Sequence, residues 1–142
     1  AAKPLGLYYN DLGKRSVGSS YTLYFCDELS RLYGSENDIT AIAASYAIEN
    51  WAQAGFWDEI VEGFEKINIK RESEKMPALP LSFWKYHSKL EKYHAEHTVE
   101  ELKTLYFEDR IKDESKFIDI CEEMLDAIHA FWIGIQRVDT VY

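Results

Sequence analysis

Along most of the chain, apolar side chains recur every three or four positions, the repeat of an α-helix that buries one face. The cleanest stripe is Phe117, Cys121, Met124, Ile128, Phe131 and Ile135, which predicts a last helix over 116–136. A first helix is expected over 20–33, ended by Gly34-Ser35. Residues 39–57, ITAIAASYAIENWAQAGFW, are apolar on nearly every side, which marks a buried helix over about 39–54. Asp38 is its expected N-cap, and Gly55 a place where it can kink. Phe56, Ile60, Phe64 and Ile67 continue at helical spacing, and 68–80 (NIKRESEKMPALP) read as a polar linker ended by Pro77 and Pro80. A helix over 82–97 follows. Thr98-x-x-Glu101 has the form of a capping box that opens a separate helix over 99–107, and 109–115 form a charged turn. Residues 1–19, broken by Gly6, Gly13 and Gly18, are an irregular lead-in. Alternation of β-branched residues is nearly absent, so the fold class is all-α, in one helical domain over 1–142.

Composition sharpens this picture in three ways. The chain has 142 residues, 46% hydrophobic and 15% aromatic, enough for a sizeable core in which large rings fill space or line a pocket. Its net charge of −9 argues against nucleic acid or an anionic membrane surface as a partner. No apolar run is long enough to span a bilayer, and the opening residues do not read as a signal peptide. Cys26 and Cys121 both fall in apolar helical patterns and are read as buried free thiols, which fits a reducing, cytoplasmic setting.

The candidate chemistry lies in Phe83-Trp84-Lys85-Tyr86-His87-Ser88-Lys89-Leu90-Glu91-Lys92-Tyr93-His94. At about 100° per residue, His87, Glu91 and His94 fall within roughly 60° of one another on one helix face. Two imidazoles and a carboxylate at one place suit iron, manganese or zinc. Glu49 is the only charged residue between Ile39 and Trp57, and an isolated buried carboxylate needs a partner or a metal. Glu49, His87, Glu91 and His94 are therefore the candidate metal ligands. The competing explanations are a surface helix with chance alignment, and a Glu49 held by a Tyr or His. Asp126-x-x-His129 has ligand spacing but points away from the Met124 stripe, as a solvated face does. There is no phosphate-binding Gly loop, Cys-x-x-Cys pair or nucleophile elbow. Glu49 and Glu91 as a metal-free acid/base pair stay open as an alternative. Tyr46, Trp51, Phe56, Phe83 and Trp84 are candidates both for pocket lining and for plain core.

The segments YAIENWAQAGFW, FWKYHSKLEKYHAEHTVEEL and, loosely, EEMLDAIHAFWIGI give the chain a resemblance to the haem-oxygenase-like di-iron oxidases. Within these it looks most like the CADD-like relatives of the TENA/THI-4 and PqqC fold. The resemblance runs over about 20–135 and implies a seven-helix bundle, of which this chain looks like the C-terminal two-thirds. It implies a non-haem iron, iron/manganese or di-iron centre held by Glu49, His87, Glu91 and His94. It also implies dioxygen activation on a small organic substrate, with a link to p-aminobenzoate and folate synthesis. The family's further Glu and His or Glu, on an earlier helix, have no counterpart here. A complete two-metal site would then need residues from a missing segment or from another chain, through a homodimer or a partner that supplies the missing helices. The alternative function is a non-catalytic helical protein-interaction module with an incomplete metal site.

Overall fold

The computed structural model describes residues 3–138. Among them there is no β-strand, and the all-α expectation holds. Five α-helices follow a lead-in of three short 3-10 turns: α1 Ser20–Tyr33, α2 Asp38–Trp51, α3 Trp57–Ser73, α4 Ser82–Phe107 and α5 Glu114–Val138. No helix among the described residues is long and apolar enough to cross a membrane.

Local chemistry accounts for most of the boundaries. Ser19 caps α1, its hydroxyl accepting from the Thr22 N–H at 3.2 Å. The cap of α2 is Asn37, one residue earlier than expected: its Oδ1 accepts from the Ile39 N–H at 3.0 Å, and Asp38 is already helical. Asp113 caps α5 by accepting from the Lys116 N–H at 3.0 Å. Between α2 and α3 the backbone passes through one π-helical stretch, Ala52–Phe56. Gly55 sits there at φ 118°, a conformation that side-chain-bearing residues rarely adopt, and the expected kink is realised at it.

Two expected boundaries are corrected. Residues 68–73 are helical, so the linker is shorter than 68–80. Its far end folds back because the Asn68 amide pairs with the backbone of Leu79, donating at 3.0 Å and accepting at 2.7 Å. Arg71, buried, donates to the carbonyls of Pro77 at 2.7 Å and Pro4 at 2.9 Å, tying both the linker and the lead-in to α3. The second correction concerns Thr98, which opens no new helix. It lies inside a continuous α4, its hydroxyl donating to the Ala95 carbonyl at 3.0 Å and accepting from Asn50 at 3.1 Å. A capping box needs a non-helical first residue. Here tertiary contact with Asn50 satisfies the hydroxyl instead.

α2 is the centre of the assembly, packed against α1, α4 and α5. Cross-helix contacts run antiparallel. Tyr46 and Ala43 of α2 meet Phe117 and Cys121 of α5, and Asp38 and Asn50 of α2 meet Arg110, just past the end of α4, and Thr98 of α4. Against α3, α4 pairs Trp84 with Phe64 and Ser88 with Asp58. The buried core joins Leu32, Ala43, Ala44, Ala47, Phe117, Ile120, Met124 and Ile128. The three alanines let α2 approach its neighbours closely, and burial of the large residues opposite supplies the driving force. Gly134 does the same for α5 and α1, since a Cβ there would lie 2.5 Å from Tyr21 Cβ. Both cysteines are free, but Cys26 is exposed, contrary to expectation. Cys121 is half-buried with its thiol on the Ala43 carbonyl, and burial pushes its pKa up.

Candidate metal centre

The buried residues of α4 are Glu91, Ala95, Thr98 and Leu105, one line down the helix that faces α2. Glu91 thus occupies a core position: it is 6% exposed. Glu49 stands opposite, in the last turn of α2 just before the π-helical stretch. His94, one turn beyond Glu91, completes the cluster. Its Nδ1 lies 3.4 Å from Glu49 Oε2 and 3.5 Å from Glu91 Oε2. One ligand atom from each of Glu49, Glu91 and His94 falls within 4.8 Å of the other two.

Burial and, after it, the facing Glu91 carboxylate push the Glu49 pKa above its usual value, while His94 partly offsets them. Among the described residues, Glu91 Oε2 is buried with no hydrogen-bond donor. A carboxylate oxygen so placed carries a desolvation cost that a cation or a proton must relieve. The two spacings from His94 Nδ1, 3.4 and 3.5 Å, fit a cation. Metal bonds of about 2.0–2.2 Å place neighbouring ligand atoms roughly 3.0–3.5 Å apart in tetrahedral or octahedral geometry. Two carboxylates and one imidazole are a borderline-to-hard donor set, suited to iron, manganese or zinc.

His87 does not join the cluster. Its Nδ1 pairs with the Phe83 carbonyl at 2.9 Å, and its ring packs on Phe83 and Trp57, with centroids 4.0 and 5.1 Å away. The cause is the bend at Gly55. Glu91 and His94 face α2, whereas His87, one turn earlier on α4, already faces α3 and meets Trp57. Helical alignment placed it correctly on α4 but did not say which neighbour that turn would meet. Asp126, His129 and His97 are exposed, as a solvated face requires.

Beside the two carboxylates lies a cavity of about 300 Å³. Of the ring residues named from the sequence, Trp51 and Phe56 line it. Tyr46 instead packs on Phe117, and Phe83 and Trp84 belong to the stack around Trp57. Further walls come from Phe25, Tyr33, Phe131 and Trp132, which sequence reasoning did not connect to the site. Their signal was the density of rings at 51, 56, 57, 131 and 132, but only the packing of α5 on α1 and α2 shows that they converge. Burial pushes the Tyr33 hydroxyl pKa up, and Glu49 adds to the rise.

No family model, curated protein or solved structure matches the chain.

Proposed function

We propose that Glu49, Glu91 and His94 bind one divalent first-row transition metal, iron in the leading case, and that the protein is a non-haem iron oxidoreductase acting with dioxygen on a small organic substrate. The observation that carries the metal site is the orphaned, buried Glu91 Oε2, 3.5 Å from His94 Nδ1 and facing Glu49. The wider assignment to dioxygen chemistry rests on the resemblance of the helix motifs to haem-oxygenase-like oxidases. Bound iron would supply the one-electron and dioxygen chemistry that side chains lack.

The chain's own residues have separate tasks. Glu91 and Glu49 offer anionic oxygen, and His94 offers Nδ1. Three protein ligands leave positions for exogenous molecules. The aromatic walls offer a substrate an apolar surface next to the carboxylates. The hydrogen bond between Asn50 and Thr98 fixes α2 against α4 close to the ligands, and so sets the distance between Glu49 and Glu91.

A second reading has an observation of its own. The raised pKa of Glu49, due to burial and then to the facing Glu91, suits a metal-free acid/base device. Metal analysis separates the two. Protein purified without added metal is expected to carry close to one iron or manganese per chain. His94→Ala and Glu91→Gln should each lose it while far-UV circular dichroism is unchanged. Full metal content in both variants rejects the site, and metal-free wild-type protein that cannot be loaded favours the acid/base pair.

A further inference from the structure

α4 carries a second apolar stripe, on the face turned away from α2. Its buried line, Glu91, Ala95, Thr98 and Leu105, points into the core. On the far side Phe83, Tyr86, Leu90, Tyr93 and His97 recur at alternating spacings of three and four. That is the heptad seam by which two helices pair side by side. α3 and α2 meet α4 elsewhere, at Trp84, Ser88 and Thr98. Phe83, Tyr86 and Tyr93 are left 54%, 62% and 68% exposed. Large rings repeated along one exposed helix face are the composition of an interface core.

The flanks of the seam are charged on one side. Lys89 and Glu96 lie there, one heptad apart. Lys85 is engaged by Glu65, and Lys92 reaches Glu96 only at 3.9 Å. Lys89 has no ion pair among the described residues.

We propose that α4 pairs antiparallel with α4 of a second copy of this chain across the seam, in a two-fold symmetric dimer. Charge selects the direction and the register. In one antiparallel register Leu90 packs against Tyr93 of the second copy and Tyr86 against His97 of the second copy. Lys89 then lies beside Glu96 of the second copy, and the two-fold axis makes this pair twice. A slide of one heptad in one direction sets Lys89 against Lys89 of the second copy. A slide in the other sets Glu96 against Glu96 of the second copy. A parallel pair would bring Glu96 to Glu101 of the second copy. Each alternative juxtaposes like charges, and the proposed register does not. His94, with its side chain 42% exposed, lies on the opposite flank, next to His87 of the second copy. The dimer therefore borders the cluster of Glu49, Glu91 and His94, although nothing in the argument depends on a metal there.

A seam of two heptads is short and belongs with small, weak interfaces, so a dissociation constant of about 1–100 µM is expected. The test is sedimentation equilibrium of the full chain from about 1 to 500 µM, a range set by that constant. Lys89→Glu and Glu96→Lys should each weaken association by about tenfold, since each turns two attractions into two repulsions. The double variant exchanges the signs and should return to within about threefold of wild type. Tyr93→Lys, at an exposed position, should give a monomer with unchanged far-UV circular dichroism. A wild-type chain that stays monomeric throughout the range overturns the proposal. So does a dimer that Tyr93→Lys leaves intact, or a double charge exchange that fails to restore what the single ones remove.

Discussion

At the scale of single residues, the site is defined by what burial does to two carboxylates. Glu91 is the buried one, in line with Ala95, Thr98 and Leu105, and Glu49 is closer to the surface with its side chain 28% exposed. The sequence marks Glu49 as an isolated carboxylate in an apolar stretch; the structure shows that Glu91 is the more deeply buried of the two. The raised pKa of Glu49 has a consequence for stability. A carboxyl that holds its proton more tightly in the folded chain stabilises the fold fully below the unfolded value, 4.5. That contribution is lost as pH rises through the higher folded value. Metal-free wild-type protein should therefore lose stability from about pH 4.5 upward towards neutrality, by the part that Glu49 contributes. Glu49→Gln should flatten that dependence and raise metal-free stability at neutral pH while it removes metal binding. Urea unfolding of chelator-treated protein across this range checks the sign, and a variant less stable than wild type at neutral pH would contradict the desolvation argument.

At the scale of elements, the π-helical stretch between α2 and α3 decides which side chains meet. It changes the direction of the chain immediately after Glu49, so that α4 crosses α2 with Glu91 and His94 and crosses α3 with His87 and Trp84. Gly55, at φ 118°, is what permits the bend. Gly55→Ala is expected to cost about 1–3 kcal/mol through backbone strain alone, since a Cβ there meets no other atom within 4 Å. Gly63 provides the contrast. It lies within α3 with open space around it, and Gly63→Ala should stabilise by about 0.4–1 kcal/mol. Paired denaturant curves for the two variants test whether they move in opposite directions. The continuity of α4 belongs to this scale as well. The pattern Thr98-x-x-Glu101 is a genuine cap signal, overridden because Asn50 on another helix supplies the partner that the Thr98 hydroxyl needs.

At the scale of the whole molecule, α2 is enclosed by α1, α4 and α5, and the lead-in and linker are fastened at one end by α3. Arg71 performs that fastening without a carboxylate: among its described hydrogen bonds, its guanidinium reaches two proline carbonyls, 67 residues apart in one case. Arg71→Met should cost about 1.5–3 kcal/mol, the usual worth of hydrogen bonds to a charged group, and leave metal content unchanged. Chemical denaturation reports the first, metal analysis the second, and limited proteolysis should show faster cleavage in the released lead-in. Surface ion pairs such as Arg15 with Asp27 at 2.7 Å matter less, because both partners are more than half exposed.

The sequence by itself determined the helical class, the extent of α1, the buried character of α2 and the apolar stripe of α5. These follow from short-range periodicity and caps, which local chemistry sets. It also named three of the residues that the structure brings together, Glu49, Glu91 and His94, because residues three apart on a helix share a face wherever that helix packs. Only the tertiary structure decided that His87 faces Trp57, that Asn50 turns Thr98 from a cap into an internal residue, and that rings from α1, α2, the π-helical stretch, α3 and α5 line one cavity. Each of these depends on the direction one helix takes relative to another. That direction is fixed at Gly55 and by the alanine faces of α2, through side-chain packing between residues far apart in the chain.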